Sequence, residues 1–182
     1  MIEEKFQTID INLILGKMPL SPNSRIADLG CGNFGYFLFP LSRLVGAQGK
    51  VYAVDVVTSH LDEVRRRARS ENFSNIEIVL ANIENIGNKT ALEGGLDGVM
   101  LVNTLHQSEK RKEILVEAAR LLKPGAWMMI IERNSSDSNI GLSVDRRISQ
   151  EVLLEAGKKL GLSLSEIFQP GSHYYGLLFF KK

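Results

Sequence analysis

The stretch Arg25-Ile26-Ala27-Asp28-Leu29-Gly30-Cys31-Gly32-Asn33-Phe34-Gly35 constrains this chain more than any other. A short apolar strand over residues 24–29 runs into three glycines spaced G-x-G-x-x-G, and an aromatic, helix-compatible run follows. Glycine belongs where the backbone takes positive φ or comes very close to a ligand. Between a strand and a helix N-terminus, such a loop is a device for cradling a nucleotide. The spacing alone also occurs in βα turns that need glycine merely to turn.

A second signal lies about twenty residues on, the separation at which a βαβ unit brings an acid beside its first turn. Lys50-Val51-Tyr52-Ala53-Val54-Asp55 reads as a strand ending in a carboxylate. Placed there, Asp55 can accept both hydroxyls of a ribose; otherwise it is a helix cap or a surface acid. Two ligands satisfy the pair, a dinucleotide such as NAD and S-adenosylmethionine. Asp28 separates them. A carboxylate two residues before the first glycine faces a pyrophosphate badly and suits the ammonium of a methionine moiety.

Asp28-Leu29-Gly30-Cys31-Gly32 resembles the opening of the first motif of the class I S-adenosylmethionine-dependent methyltransferases, a strand followed by D-x-G-x-G-x-G. The third glycine departs from that pattern: Asn33-Phe34 precede Gly35, one residue later than usual.

The rest of the chain alternates strand and helix. Residues 8–17 read as a short helix ended by Pro19 and Pro22, within an N-terminal helical extension over 1–24. Crossover helices are expected over 34–45, where Pro40 favours a late start, and over 58–72, with Ser59 and Asp62 set like a capping box. Strands are expected over 50–54, 75–80 and 97–102. The clearest helix spans 108–123, with Ile114, Leu115, Ala118, Leu121 and Leu122 at helical spacing. Lys123-Pro124-Gly125 stops it before a fifth strand over 126–132, apolar without alternation as in a strand covered on both faces. A polar loop (134–147), a helix (149–160) and a hairpin (162–168 and 173–181) complete the chain. The expectation is an α/β fold in one domain over 1–182: a doubly wound, Rossmann-like, seven-stranded, mostly parallel sheet with an antiparallel C-terminal strand and helices on both faces. The methyltransferase class is built that way, and the resemblance spans nearly the whole chain.

Ligands of such sheets bind outside the carboxyl ends of the strands. The resemblance implies a role for each residue there. The loop Gly30, Cys31, Gly32, Asn33 and Gly35 lies against the methionine end, and Asp28 pairs with its ammonium. Asp55 grips the ribose and Val56 lies against the adenine. Asn82 accepts from the adenine amino group, where the family often has Asp, and Ile83 offers a backbone N–H. Asn103 and Thr104 face the sulfonium. The cofactor implied is S-adenosyl-L-methionine, leaving S-adenosyl-L-homocysteine. Methyl transfer from a sulfonium mainly needs alignment and exclusion of water. A base matters only where the acceptor must lose a proton; the candidates are His106, the best placed, with His173, Glu132 and Tyr36.

The net charge of +1 supplies no field for nucleic acid or an anionic membrane. The basic run Arg65, Arg66, Arg67 and Arg69 reads as a solvated helix face; Arg133, Arg146 and Arg147, on or near the loop after the fifth strand, read as solvated surface or as holders of an anionic acceptor. Cys31 is the only cysteine, so neither an intrachain disulfide nor a zinc cluster can form. The chain also lacks the several cysteines that arsenic methylases need. Asn103-Thr104-Leu105-His106 stands where methylases of exocyclic amines carry Asn/Asp-Pro-Pro-aromatic. No stretch is long and apolar enough to span a bilayer, and Met1-Ile2-Glu3-Glu4 has no leader features. These features point to a cytoplasmic enzyme with a small-molecule acceptor, its oligomeric state open. The alternatives are an NAD-dependent oxidoreductase and a cofactor-binding partner subunit without activity.

Overall fold

The structure is a computed structural model that describes residues 9–87, 92, 95–134 and 146–182. In chain order its elements are α1 (Ile11–Lys17), β1 (Arg25–Leu29), α2 (Leu38–Val45), β2 (Lys50–Asp55), α3 (Thr58–Ser70), β3 (Ile76–Leu80), β4 (Leu96–Val102), α4 (Arg111–Leu121), β5 (Leu122–Arg133), α5 (Gln150–Lys159), β6 (Leu162–Gly171) and β7 (Tyr174–Lys181). The sheet order is β3-β2-β1-β4-β5-β7-β6. β1 pairs in parallel with β2 and β4, β2 with β3, and β4 with β5. β7 runs antiparallel between β5 and β6. The doubly wound sheet with its antiparallel C-terminal strand therefore forms as expected.

Side-chain alternation along the strands builds a core on each face. Ala27, Leu29, Tyr52, Val54, Val99 and Leu101 pack toward α4 and α5. Ile26, Val51, Ala53, Met100 and Met129 pack toward α1, α2 and α3. Asp28 shares the parity of Ile26, so strand geometry turns it toward the α1–α3 face at the end of β1.

Several boundaries differ from the sequence expectation for local reasons. α2 begins at Leu38, which puts Pro40 in its first turn, where a missing N–H leaves no bond unmade. α3 is not capped by Ser59: Val57 takes the N-cap position, and its N–H donates to Asp55 Oδ1 at 2.9 Å. α4 passes directly into β5, so Lys123-Pro124-Gly125 opens the strand. Leu122 already pairs with Leu96 there, and a register shift between Leu96 and Gly98 absorbs the turn. Ahead of α4, Leu105–Gln107 forms a separate 3-10 turn. Of the polar loop 134–147, residues 135–145 lie outside the described residues, as do 88–91 and 93–94 of the connection before β4.

The arginine run lies on the exposed side of α3. Arg65 pairs with Asp62, Arg66 with Glu63 and Arg67 with Glu71, while the Arg67 guanidinium sits 3.9 Å above the Phe39 ring. Arg147 departs from its surface reading: it is buried, and its Nη1 donates to the Asn134 carbonyl.

Gly98 of β4 faces Trp127 of β5, and a Cβ built on it would fall 2.1 Å from Trp127 Cε2. The indole therefore occupies the space of the missing side chain. Gly98→Ala is expected to lower stability by about 1–3 kcal/mol through overpacking. Urea unfolding checks this, and Trp127→Leu in the same chain should recover part of the loss. A Gly98→Ala protein as stable as wild type would contradict the packing described.

Candidate active site

The order of strands reverses between β1 and β4, and a cleft of about 370 Å³ opens outside their carboxyl ends. Its floor is Asp28 with Gly30, Cys31 and Gly32. Val102, Asn103 and Gln107 line the β4 side, Arg133 and Tyr174 the β5–β7 side, and Phe34, Tyr36 and Phe37 the loop before α2. Ile9 and Ile11 close the end nearest α1. Asp10 anchors that end, since its N–H donates to the Pro170 carbonyl at 2.6 Å and its Oδ1 caps α1 by accepting from Leu13 N at 2.9 Å.

The glycine loop is held from below. Gly30 N and Cys31 N both donate to the Val54 carbonyl, at 2.8 and 3.2 Å, and Gly32 N donates to Asp55 Oδ2 at 2.9 Å. Gly30 has φ +81°, and a Cβ there would lie 2.7 Å from Thr104 Cγ2. Both the left-handed backbone and the close approach of Thr104 exclude a larger residue. Thr104 is buried and bridges the strand ends, its hydroxyl within 3.2 Å of the Leu29 carbonyl and 3.1 Å of the Val102 carbonyl. Gly35 turns away from the cleft, its α-carbon packed against Leu38, Phe39 and Val64.

Two acceptors at this floor stand out. Asp28 is 3 % exposed, and among the described residues no donor reaches its carboxylate. Burial, and secondly the charge of Asp55, push its pKa up to about 7. Asn103 has φ +53°, a left-handed conformation that Asn adopts more readily than most residues. Its Oδ1 is buried without a hydrogen-bond partner among the described residues. A ligand that meets both must bring positive charge and N–H donors. An α-ammonium fits that requirement; a pyrophosphate set against Asp28 does not. Cys31 stays a thiol, its pKa raised first by burial and then by Asp28 and Asp55.

Asp55 lies beyond the cleft, at the end of β2. Besides holding Gly32 and Val57, its Oδ2 is 3.5 Å from His60 Nδ1, without hydrogen-bond geometry between them. Val56, next to it, is 63 % exposed. Asn82 is exposed past the end of β3, and its Oδ1 accepts from Glu84 N at 2.9 Å in an Asx turn. Ile83 packs partly against the core.

The expected base, His106, does not line the cleft. Its Nδ1 lies 2.9 Å from Glu132 Oε2, and because a carboxylate only accepts, that nitrogen carries the proton. Glu132 is 1 % exposed, and its Oε1 also accepts from Thr104 N and Leu105 N at 3.0 and 2.7 Å. Glu132 thus braces the turn after β4. Tyr174 reaches the cleft although sequence reasoning left it in a hairpin strand. It does so because β7 pairs Tyr174 with Arg133 at the end of β5, which no local pattern discloses.

A family model described as a methyltransferase domain matches residues 20–167. The chain is 31 % identical over 135 residues to an arsenite methyltransferase of Aquipseudomonas alcaligenes, covering 70 % of this chain and 35 % of that protein. It is also 31 % identical over 144 residues to a demethylmenaquinone methyltransferase of Lactococcus lactis, covering 78 % of this chain and 54 % of that one. The chain thus spans only about a third to a half of the length of these two relatives. Among solved structures, a SAM-dependent methyltransferase of Aquifex aeolicus superposes with a TM-score of 0.84 at 22 % identity, over 97 % of this chain and 92 % of that one.

Proposed function

Because the chain belongs to the methyltransferase domain family, we propose that it binds S-adenosyl-L-methionine in the cleft and transfers a methyl group to a small-molecule acceptor, releasing S-adenosyl-L-homocysteine. The observation that carries this reading is the buried carboxylate of Asp28 at the end of β1, which no donor reaches among the described residues. Asp28 and Asn103 would receive the ammonium, with Gly30, Cys31 and Gly32 as the floor and Asn33 at its edge. Asp55 would take the ribose while still holding Gly32, since each of its oxygens has a second lone pair. Val56, Asn82 and Ile83 would border the adenine, the Asn82 oxygen doing so beyond its bond to Glu84.

When bound, S-adenosyl-L-methionine supplies a methyl group on a positively charged sulfur. What this chain adds is placement. Asp28 and Asn103 fix one end of the ligand, and the apolar walls Ile11, Phe37 and Val102 keep water from the acceptor. His106 is assigned to the Glu132 brace because it does not line the cleft, while its Nδ1 is held by that carboxylate. Thr104 and Gly35 are assigned to support: Thr104 ties β1 to β4, and Gly35 lets the loop pack on α2 and α3.

The arsenite specificity of one relative is not carried over, since Cys31 is the only cysteine and is held protonated. A cytoplasmic site of action suits a free thiol beside the cofactor. Among the described residues no helix is long and apolar enough to cross a membrane.

Calorimetric titration of the full chain with S-adenosylhomocysteine, and with NAD in parallel, tests the reading. Binding of the first at micromolar strength and silence with the second is the expected outcome. Asp55→Ala should weaken that binding by at least about tenfold, because it removes a ribose acceptor and frees Gly32 N. Heat with NAD alone would overturn the assignment of Asp28 and favour an oxidoreductase.

A further inference from the structure

Two aromatic side chains at the rim of the cleft have no part in the cofactor site proposed above. Phe34 and Tyr36, on the loop before α2, are 52 % and 48 % exposed, yet their rings stack on each other with centroids 5.2 Å apart and planes 30° apart. Both line the cleft, while their neighbours Phe37, Leu38 and Phe39 are buried in the core. The core therefore does not need them, and an exposed aromatic pair at the rim of a cleft is surface waiting for a flat apolar ligand. Tyr174 supplies another aromatic wall of the cleft, with the Arg133 guanidinium 5.4 Å from its ring centroid.

Charge sorts the two ends of the cleft. Among the described residues lining it, Asp28 is the only acid and Arg133 the only base. The acid lies on the floor where the methionine ammonium is assigned, and the base stands with Tyr174. Proton chemistry points the same way. His106 and Glu132 lie outside the cleft lining, and Cys31 is held as a thiol. Of the four candidate bases only Tyr36 is among the described lining residues, and its ring is stacked on Phe34. An acceptor that arrives already ionised needs no base.

We propose that the acceptor side of this cleft takes a flat aromatic or conjugated small molecule bearing an anionic group, its ring against Phe34, Tyr36 and Tyr174 and its charge toward Arg133. This rests on the methyltransferase reading only for the word acceptor; the binding surface is a separate claim. It makes cationic amines poor ligands, and it gives Phe34 and Tyr36 a task that packing does not.

The test uses the full chain and two probes of one shape, 2-naphthoate and 2-naphthylmethylammonium, each titrated with and without saturating S-adenosylhomocysteine. Naphthoate is expected to bind at least about tenfold more tightly than the ammonium. The double variant Phe34→Ser/Tyr36→Ser should weaken naphthoate by about tenfold. Its melting temperature should be unchanged, because both side chains are half in water. Equal or tighter binding of the ammonium, or a double variant that holds naphthoate as well as wild type, overturns the proposal. If S-adenosylhomocysteine fails to bind while naphthoate binds, the methyltransferase reading falls and the aromatic surface stands. If S-adenosylhomocysteine binds and naphthoate does not, the acceptor proposal falls alone; if neither binds, both fall.

Discussion

Replacing Asp28 with Asn is expected to weaken S-adenosylhomocysteine binding by at least about 100-fold, since a charge-assisted pair in a buried site is lost, while leaving the folded protein no less stable. The two effects share one cause. Burial first, and Asp55 second, raise the Asp28 pKa from 3.8 to about 7. An acid whose pKa rises on folding costs nothing below its unfolded value, where it is protonated in both states. The cost grows as pH climbs from about 4 toward 7 and is constant above that, roughly 4 kcal/mol at most. An amide in its place carries no such charge, so the variant should gain stability over wild type above neutral pH and lose that advantage near pH 4. Ligand affinity should follow the ionised form. In wild type it should fall by about tenfold per pH unit below 7, whereas the weak binding of Asp28→Asn should show no such slope. Chemical denaturation and calorimetry at pH 8, 6 and 4.5 read both trends. A variant less stable than wild type at pH 8, or one that binds as tightly, would show that Asp28 is a structural acid.

Glu132→Leu carries the largest expected loss of stability, about 3–5 kcal/mol. The substitution strands the N–H groups of Thr104 and Leu105 and leaves His106 Nδ1 without its acceptor, all under a side chain that is 1 % exposed. Out of a total stability of about 5–15 kcal/mol, that brings the protein close to unfolding. Glu132→Gln should be milder, by about 1–2 kcal/mol. Its amide oxygen can still accept from both backbone groups, and the imidazole can change tautomer to accept from the amide nitrogen. The brace also fixes the turn that holds Asn103 at positive φ, so the Gln variant should lose ligand affinity together with stability. A Leu variant with wild-type urea midpoint would contradict the brace.

These two residues also mark what a sequence discloses. The place of Asp28 near the end of β1 was legible because its position relative to Gly30 and Gly32 is local, and the strand that carries it is set by a run of apolar residues. The β–α alternation and the terminal hairpin are equally local, so the order of elements and the antiparallel strand could be read. Glu132 was legible only as a carboxylate near the site. Its part depends on three partners on another strand end, at a distance in the chain that no spacing rule reports. The same holds for Tyr174, brought to the cleft by its pairing with Arg133, and for Arg147, whose burial depends on packing that a charged residue conceals. Gly35 shows a different limit: a glycine in a ligand motif and a glycine under a helix contact look alike in sequence, and a Cβ here would meet Leu38, Phe39 and Val64. The start of α4 was read three residues early, at 108: Ser108 is extended and its Oγ accepts from Lys110 N, so the helix begins only at Arg111.

The central claim is that the β1–β4 cleft receives the amino-acid end of S-adenosylmethionine on Asp28. A crystal structure of the full chain grown with S-adenosylhomocysteine tests it directly. The ligand's amino group is expected within hydrogen-bond distance of the Asp28 carboxylate and of Asn103 Oδ1, with its ribose at Asp55. A ligand bound elsewhere, or one whose amino group points away from Asp28, would contradict it.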